Sequence, residues 1–202
     1  MAFPFLGLFI MLLAVISFYR KRSNRRQEEA NTSFWDREHE ANLVRRKDIS
    51  GLPYIIIPFE DFSIGAFSDE KLIGIEHSLD AFRDKKILNL TGLTNTDLKL
   101  MYGPANLPAL TEYDQNFTDM LHILTDYINR LIELEHFDAA VPVLEFCIEA
   151  GSDISNHYVL LAEHYKTQGD VSALENLHEK ASTLNSLSKN PILQKLDSII
   201  NS

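Results

Sequence analysis

The chain has 202 residues, 45% of them hydrophobic, with 8 glycines and 7 prolines, which excludes a fibrous or wholly disordered protein. The formal net charge of −10 is uneven: residues 20–47 hold nine Lys/Arg against five Asp/Glu, and residues 48–202 hold ten against twenty-four. A domain with a net charge of −14 repels phosphates, so nucleic acid is excluded as a partner. The single cysteine, Cys147, excludes an internal disulfide and a cysteine-based zinc site.

The N-terminal segment, residues 1–19, contains no charged side chain. As a helix rising about 1.5 Å per residue it covers about 28 Å, the thickness of a bilayer's hydrocarbon core, and it predicts a single transmembrane anchor. A cleaved signal peptide is the alternative, but its positive charges precede the apolar stretch, whereas these follow it. By the positive-inside rule, the C-terminal domain is expected in the cytoplasm at the cell membrane. The basic residues that predict this orientation are Arg20, Lys21, Arg22, Arg25 and Arg26.

Residues 20–47 are polar and mostly good helix formers, so they predict a basic helical stalk. A second interpretation is an interfacial helix that dips Phe34 and Trp35 into the lipid headgroups. Acidic residues along the same stretch oppose binding to anionic lipid and favour the stalk.

Residues 48–116 predict an irregular and partly helical segment that packs on the C-terminal domain. The apolar stretch 52–59 lies between two prolines and has no partner strand, so an extended segment packed on helices is expected. Ser68 is a candidate N-cap for an amphipathic helix over residues 69–84.

A short helix is expected next, capped by Asn95 or Thr96 and ended by Gly103 and Pro104. This part of the chain resembles uncharacterised membrane-anchored proteins of Gram-positive anaerobic bacteria. The resemblance implies no activity.

The strongest internal signal is a repeat within residues 121–187, in which two helical hairpins are offset by 34 residues. Each hairpin alone leaves an apolar face uncovered, and stacking at a fixed offset buries both. The stripe of the first helix is Leu124, Tyr127, Ile128 and Leu131, matched by Tyr158, Leu161, Ala162 and Tyr165. The stripe of the second helix is Phe137, Ala140, Leu144 and Cys147, matched by Val171, Leu174, His178 and Ala181.

This period, with its small and aromatic positions, resembles the tetratricopeptide repeat. Gly169 and Asp170 form the predicted turn of the second hairpin, and Glu135 and His136 occupy the same place in the first. A last helix, starting at Asn190, is expected to cap the stack. The predicted fold is therefore mainly α: a transmembrane helix, a stalk, and a tetratricopeptide-like domain over residues 117–202 with a short extended segment before it.

The sequence predicts no enzyme, no cofactor and no metal. His157 and His164 are seven residues apart, about 10 Å along a helix, which is too far to share one metal ion. Cys147 occupies a small-residue core position of the repeat rather than an electropositive cleft.

The expected function is that of a membrane-tethered adaptor that binds a protein or peptide. Two alternatives remain: a structural protein that oligomerises through the stalk or residues 52–59, and an enzyme with its site within residues 48–114. The resemblance to the repeat family implies that partners bind along the first helix of each hairpin. The outward residues predicted there are His122, Asn129, Glu133, Asn156, Glu163 and Lys166.

Overall fold

The computed structural model describes residues 4–201, and their side chains except at positions 4–8, 10, 14, 23, 24, 26, 29 and 30. The chain is mainly helical, as predicted, and the described residues contain no strand. The helices are α1 (Pro4–Leu43), α2 (Glu70–Asp80), α3 (Asn95–Tyr102), α4 (Leu107–Glu133), α5 (Phe137–Glu149), α6 (Ser155–Gln168), α7 (Val171–Thr183) and α8 (Lys189–Asn201), with a 3₁₀ turn at Pro104–Asn106.

The helix α1 contains residues 4–19 of the predicted anchor and most of the predicted stalk. Among the described residues, no helix is both long enough and apolar enough to cross a membrane. The span predicted over residues 1–19 falls partly outside the described residues, and the structure gives it no support. The side chain of Arg26, one of the predicted orienting residues, also lies outside the described part.

The chain divides into two compact units, residues 1–48 with 94–107 and residues 49–93 with 108–202. In the first unit, α3 packs on the C-terminal part of α1 through charged contacts. Glu38 accepts a hydrogen bond from the Thr96 hydroxyl at 2.8 Å and pairs with Lys99, and Arg37 pairs with Asp97. These contacts fix the end of the predicted stalk to a short helix that lies far from it in sequence.

The cap of α3 is Thr94, one residue before the two predicted positions. The helix ends where the sequence predicted, at Gly103, whose φ is +86°. A Cβ there would lie 2.7 Å from the carbonyl oxygen of Arg45, so only glycine fits. Beside it, the buried Asn106 donates to the carbonyls of Lys47 and Tyr102 at 2.8 and 2.7 Å.

In the second unit, α2 is capped by Asp69 rather than by the predicted Ser68. The Asp69 carboxylate accepts the amide of Leu72 at 2.9 Å and also binds Arg130 of α4 through two hydrogen bonds, at 2.9 and 2.6 Å. A charged side chain that both caps α2 and binds α4 is more constrained than a serine in the same place.

The stretch 52–59 has no regular secondary structure. The amide of Ile55 donates to the carbonyl of Ile87 at 3.0 Å, and Ile57 is buried in the core. Its neighbour Ile56 is 84% exposed.

The helix α4 begins at Leu107, ten residues before the predicted start of the repeat domain at residue 117. Glu112 and Asp114 lie inside it, and the Asp114 carboxylate accepts the amide of Leu90 at 3.0 Å. The early start lengthens α4 to 27 residues.

Helices α4 to α8 follow one another along the chain, and α6 packs against α5, α7 and α8. Most residues of the two predicted apolar stripes are buried. Val171 is the clear exception at 64% exposure, because it opens α7 at the end of the turn. The capping helix α8 begins at Lys189, one residue before the predicted Asn190, and buries Ile192 and Leu196.

The turns inside the two hairpins have the same backbone geometry, 34 residues apart. The amide of His136 donates to the carbonyl of Leu131, and that of Asp170 donates to Tyr165, each at 2.9 Å. Glu135 has a φ of +63° and its equivalent Gly169 a φ of +72°. Both hairpins therefore end their first helix with the same left-handed turn.

Candidate interaction groove

The surface predicted to bind a partner lies on the first helix of each hairpin, α4 and α6. Two of its side chains have partners: Glu133 accepts from Arg130 at 2.6 Å, and Lys166 donates to the carbonyl of Ile199 at 2.7 Å. The structure leaves all six predicted residues exposed, namely His122, Asn129, Glu133, Asn156, Glu163 and Lys166.

A groove of about 570 Å³ lies elsewhere, along the second helices α5 and α7. Its walls are two helix faces with the same spacing, residues 142, 145, 146 and 149 of α5 and residues 173, 176, 177 and 180 of α7. Leu161 and Tyr165 of α6 also line it, and the loop residues Pro58 and Asp61 complete it. None of the six predicted residues lines this groove.

The apolar part of the groove comes from Phe146, Ile148, Leu161 and Leu177. Leu161, Leu177 and Ile148 are also core residues, so the floor of the groove is the nearly buried edge of the core, and Pro142 and Phe146 are its partly exposed apolar residues. An opening of this size is within the range of ligand pockets, and its apolar lining provides binding energy when water is displaced.

The rim of the groove is acidic. Three carboxylates line it, those of Asp61, Glu145 and Glu149, against the single cation Lys180. Lys180 pairs with Glu149 across the groove, from α7 to α5. Because only Glu149 is paired with a cation of the groove, a net negative charge faces the opening.

Tyr165 connects the floor of the groove to its rim. Its hydroxyl donates to Glu145 Oε1 at 2.7 Å. Burial, and then the neighbouring Glu145, raise the pKa of Tyr165 well above its usual range. The phenol is therefore protonated at neutral pH and occupies one of the acceptor positions of Glu145.

Two groups that the sequence raises as possible sites of chemistry, His157 and Cys147, are both fully buried. His157 is fully buried, with Nε2 at 2.9 Å from Thr125 Oγ1 and Nδ1 at 2.9 Å from Ser152 Oγ. Burial lowers the pKa of His157 to about 4 and raises that of the Cys147 thiol to about 12. Neither group reaches a cleft, and among the described residues no group of three or more His, Cys, Asp or Glu side chains could hold a metal ion.

Sequence reasoning missed the groove, although its signal is present. The spacing i, i+3, i+4, i+7 occurs on both second helices, but there it mixes carboxylates, an amide and a lysine with apolar residues and so resembles a solvated face. The chain matches no protein-family model, no curated protein and no solved structure.

Proposed function

We propose that the chain is a membrane-tethered adaptor that holds a segment of another protein on its hairpin stack. The observation that carries the proposal is the open groove between α5 and α7, whose floor reaches core residues Leu161 and Leu177. Such a surface gains free energy when an apolar side chain covers it. The turns repeated 34 residues apart support the interpretation of the stack as tetratricopeptide-like.

The tether is the second part of the proposal. Its support is the uncharged sequence of residues 1–19 and the exposure of the described apolar side chains near the start of α1. Apolar side chains exposed in this way are stabilised when they are removed from water, and the hydrocarbon core of a bilayer removes them from water. The basic residues that follow favour, under the positive-inside rule, a cytoplasmic position of the acidic domain at the cell membrane. The exposed apolar side chains are Phe9, Met11, Leu12, Leu13, Val15, Ile16, Phe18 and Tyr19.

The adaptor proposal is tested by blocking the groove without disturbing the core. Asn176 lines the groove and is exposed, and Glu175 beside it is exposed but outside the groove. We expect Asn176→Trp to lose partners that the wild type retains in a quantitative pull-down, and Glu175→Trp to keep them. Equal recovery of partners by both variants would contradict docking in this groove.

The first-helix surface is tested in the same pull-down. A variant with Asn129, Glu133, Glu163 and Lys166 all changed to alanine leaves the groove intact. If this variant loses the partners and Asn176→Trp keeps them, the docking surface lies on α4 and α6, as the repeat resemblance implies. Retention of partners excludes that surface.

A structural role through self-association is the second candidate, and the 84% exposure of Ile56 favours it. If copies associate through residues 52–59, Ile56→Lys lowers the mass measured by light scattering to that of one chain. A monomeric wild type would remove this candidate.

The enzyme alternative, with its site within residues 48–114, is motivated by the lack of a structural account of this segment. Asp69 caps a helix and Asp114 makes a loop contact, so these two carboxylates have structural roles.

A further inference from the structure

We infer that the occupant of the α5–α7 groove is a cationic and apolar segment, in which lysine or arginine lies beside bulky apolar side chains. The inference rests on the proposed function and specifies the chemistry of its partner. It is carried by the charges of the rim and by one contact across the groove.

The apolar requirement follows from the floor. Pro142 and Phe146 are partly exposed in the groove, and the nearly buried Leu161 and Leu177 lie beneath them, around a volume of about 570 Å³, more than one side chain fills. A segment with two or three bulky apolar residues matches that volume, whereas a purely polar segment would not displace water from the apolar floor.

The cationic requirement follows from the rim. Asp61, Glu145 and Glu149 face the groove with Lys180 as the one cation lining it. The second unit as a whole holds twenty-two Asp/Glu against nine Lys/Arg, so its field attracts cations at long range and repels acidic segments. Charge near the groove and charge over the unit therefore favour the same ligand.

Lys180 shows how a ligand cation would bind. Its ammonium crosses from α7 to Glu149 of α5, where a cation of the partner would otherwise lie. Lys180 therefore competes with the ligand for Glu149. Removing Lys180 should strengthen the binding of a cationic segment, which a purely apolar groove does not predict.

The test measures the binding of three short fluorescein-labelled peptides by anisotropy, with the full chain in nanodiscs of zwitterionic lipid. In the first peptide leucine alternates with lysine, and in the others glutamine or glutamate replaces each lysine. Empty nanodiscs give the background from lipid binding. Circular dichroism confirms that each variant is folded.

We expect the lysine peptide to bind tightest. Exposed ion pairs are individually weak, so Glu145→Gln with Glu149→Gln should weaken it about fivefold. The matched control, Glu175→Gln with Glu179→Gln, removes the same charge from exposed positions of α7 outside the groove and should weaken binding much less. Lys180→Gln should strengthen it about twofold, and added salt should weaken it.

Three results overturn the inference: equal or tighter binding of the glutamine or glutamate peptide, equal loss in the matched control, or no binding of any peptide. Self-association that disappears in Asn176→Trp identifies a second copy as occupant and also overturns it. In each case the pull-down with Asn176→Trp still tests whether a partner binds in the groove. Failure of the adaptor proposal is therefore distinguished from failure of the inference about the partner's charge.

Discussion

His157 is a fully buried histidine whose two ring nitrogens both have hydroxyl partners. The Thr125 hydroxyl donates to the carbonyl of Leu121 at 2.6 Å, so its oxygen accepts from His157 Nε2–H. Nδ1 is then the acceptor for the hydroxyl of Ser152. This arrangement requires the neutral imidazole, since a proton on Nδ1 would remove the bond from Ser152.

The stability of the domain should therefore fall in acid in part because of this residue. With the pKa of His157 lowered to about 4 by burial, the unfolded chain takes up its proton first as the pH falls below about 6.5. Stability present above pH 6.5 is lost down to about pH 4, by about 3 kcal/mol. Urea unfolding at several pH values measures this loss.

The variant to compare with the wild type is His157→Gln, whose side-chain amide is a hydrogen-bond donor but does not titrate. Its unfolding free energy should depend less on pH across this window, although it is less stable than the wild type at neutral pH. His122→Gln changes an exposed histidine and should retain the full dependence. If all three proteins show the same pH profile, His157 is not the group responsible.

Cys147 should behave as an inert core residue. It is fully buried, and burial raises the pKa of its thiol to about 12, so almost no thiolate forms at neutral pH. Because the chain has one cysteine, Ellman's reagent reports this site alone. We expect no reaction in the folded protein and complete reaction in urea. Rapid labelling of the folded chain would identify a reactive nucleophile and contradict the core assignment.

The two hairpin turns allow a paired test at the scale of the element. Glu135 holds the left-handed conformation that its equivalent Gly169 adopts freely. Such a conformation costs a non-glycine residue about 1 kcal/mol. Glu135→Gly should therefore stabilise the domain by about 0.5 kcal/mol, after the greater entropy of the unfolded glycine chain is subtracted.

The converse change is Gly169→Ala, which should destabilise the domain by about 1 kcal/mol. A Cβ at Gly169 meets no atom within 4 Å, so the cost comes from the backbone alone. Urea unfolding of both variants gives the two values. Opposite signs support equivalent turns, and equal signs would contradict them.

The sequence predicted best those helices in which residues at the two ends of the apolar stripe themselves mark the helix boundaries. Gly169 follows the stripe of α6 and Asp170 caps α7, so local residues alone set both ends. The start of α2 could not be chosen the same way, because Ser68 and Asp69 are both good caps. The choice is made by Arg130, a residue 61 positions away, whose contact no local pattern reveals.

The start of α4 was misplaced for a related reason. Asp114 resembles a cap in sequence, but its carboxylate accepts the amide of Leu90 from within the helix. The groove was missed because its carboxylates and its lysine suggest a solvated surface, and only the fold brings α5 and α7 together around them. Both failures concern polar residues whose partners are distant in sequence.

At the scale of the whole molecule, charge is separated along the chain. Residues 20–47 carry a net +4 and residues 48–202 a net −14, from the counts of charged residues in each stretch. Anionic lipid attracts the first stretch and repels the second. The same separation favours a cationic partner for the acidic domain, so the tether and the proposed ligand are electrostatically compatible.

The tether makes a prediction about the full chain in cells. If the apolar start of α1 is embedded in lipid, the protein stays in the membrane pellet after an alkaline carbonate wash. Leu12→Arg with Ile16→Arg places two charges among these exposed apolar side chains, and each costs about 3 kcal/mol in the hydrocarbon. The variant should move to the supernatant.

The matched control adds the same two charges at exposed apolar positions nearer the end of α1. Trp35→Arg with Leu43→Arg lies in the predicted stalk and should leave the protein in the pellet. A wild type found in the supernatant would contradict the tether. Release of the control variant as well would indicate that the stalk, through Trp35 and the interfacial interpretation of residues 20–47, provides the membrane contact instead.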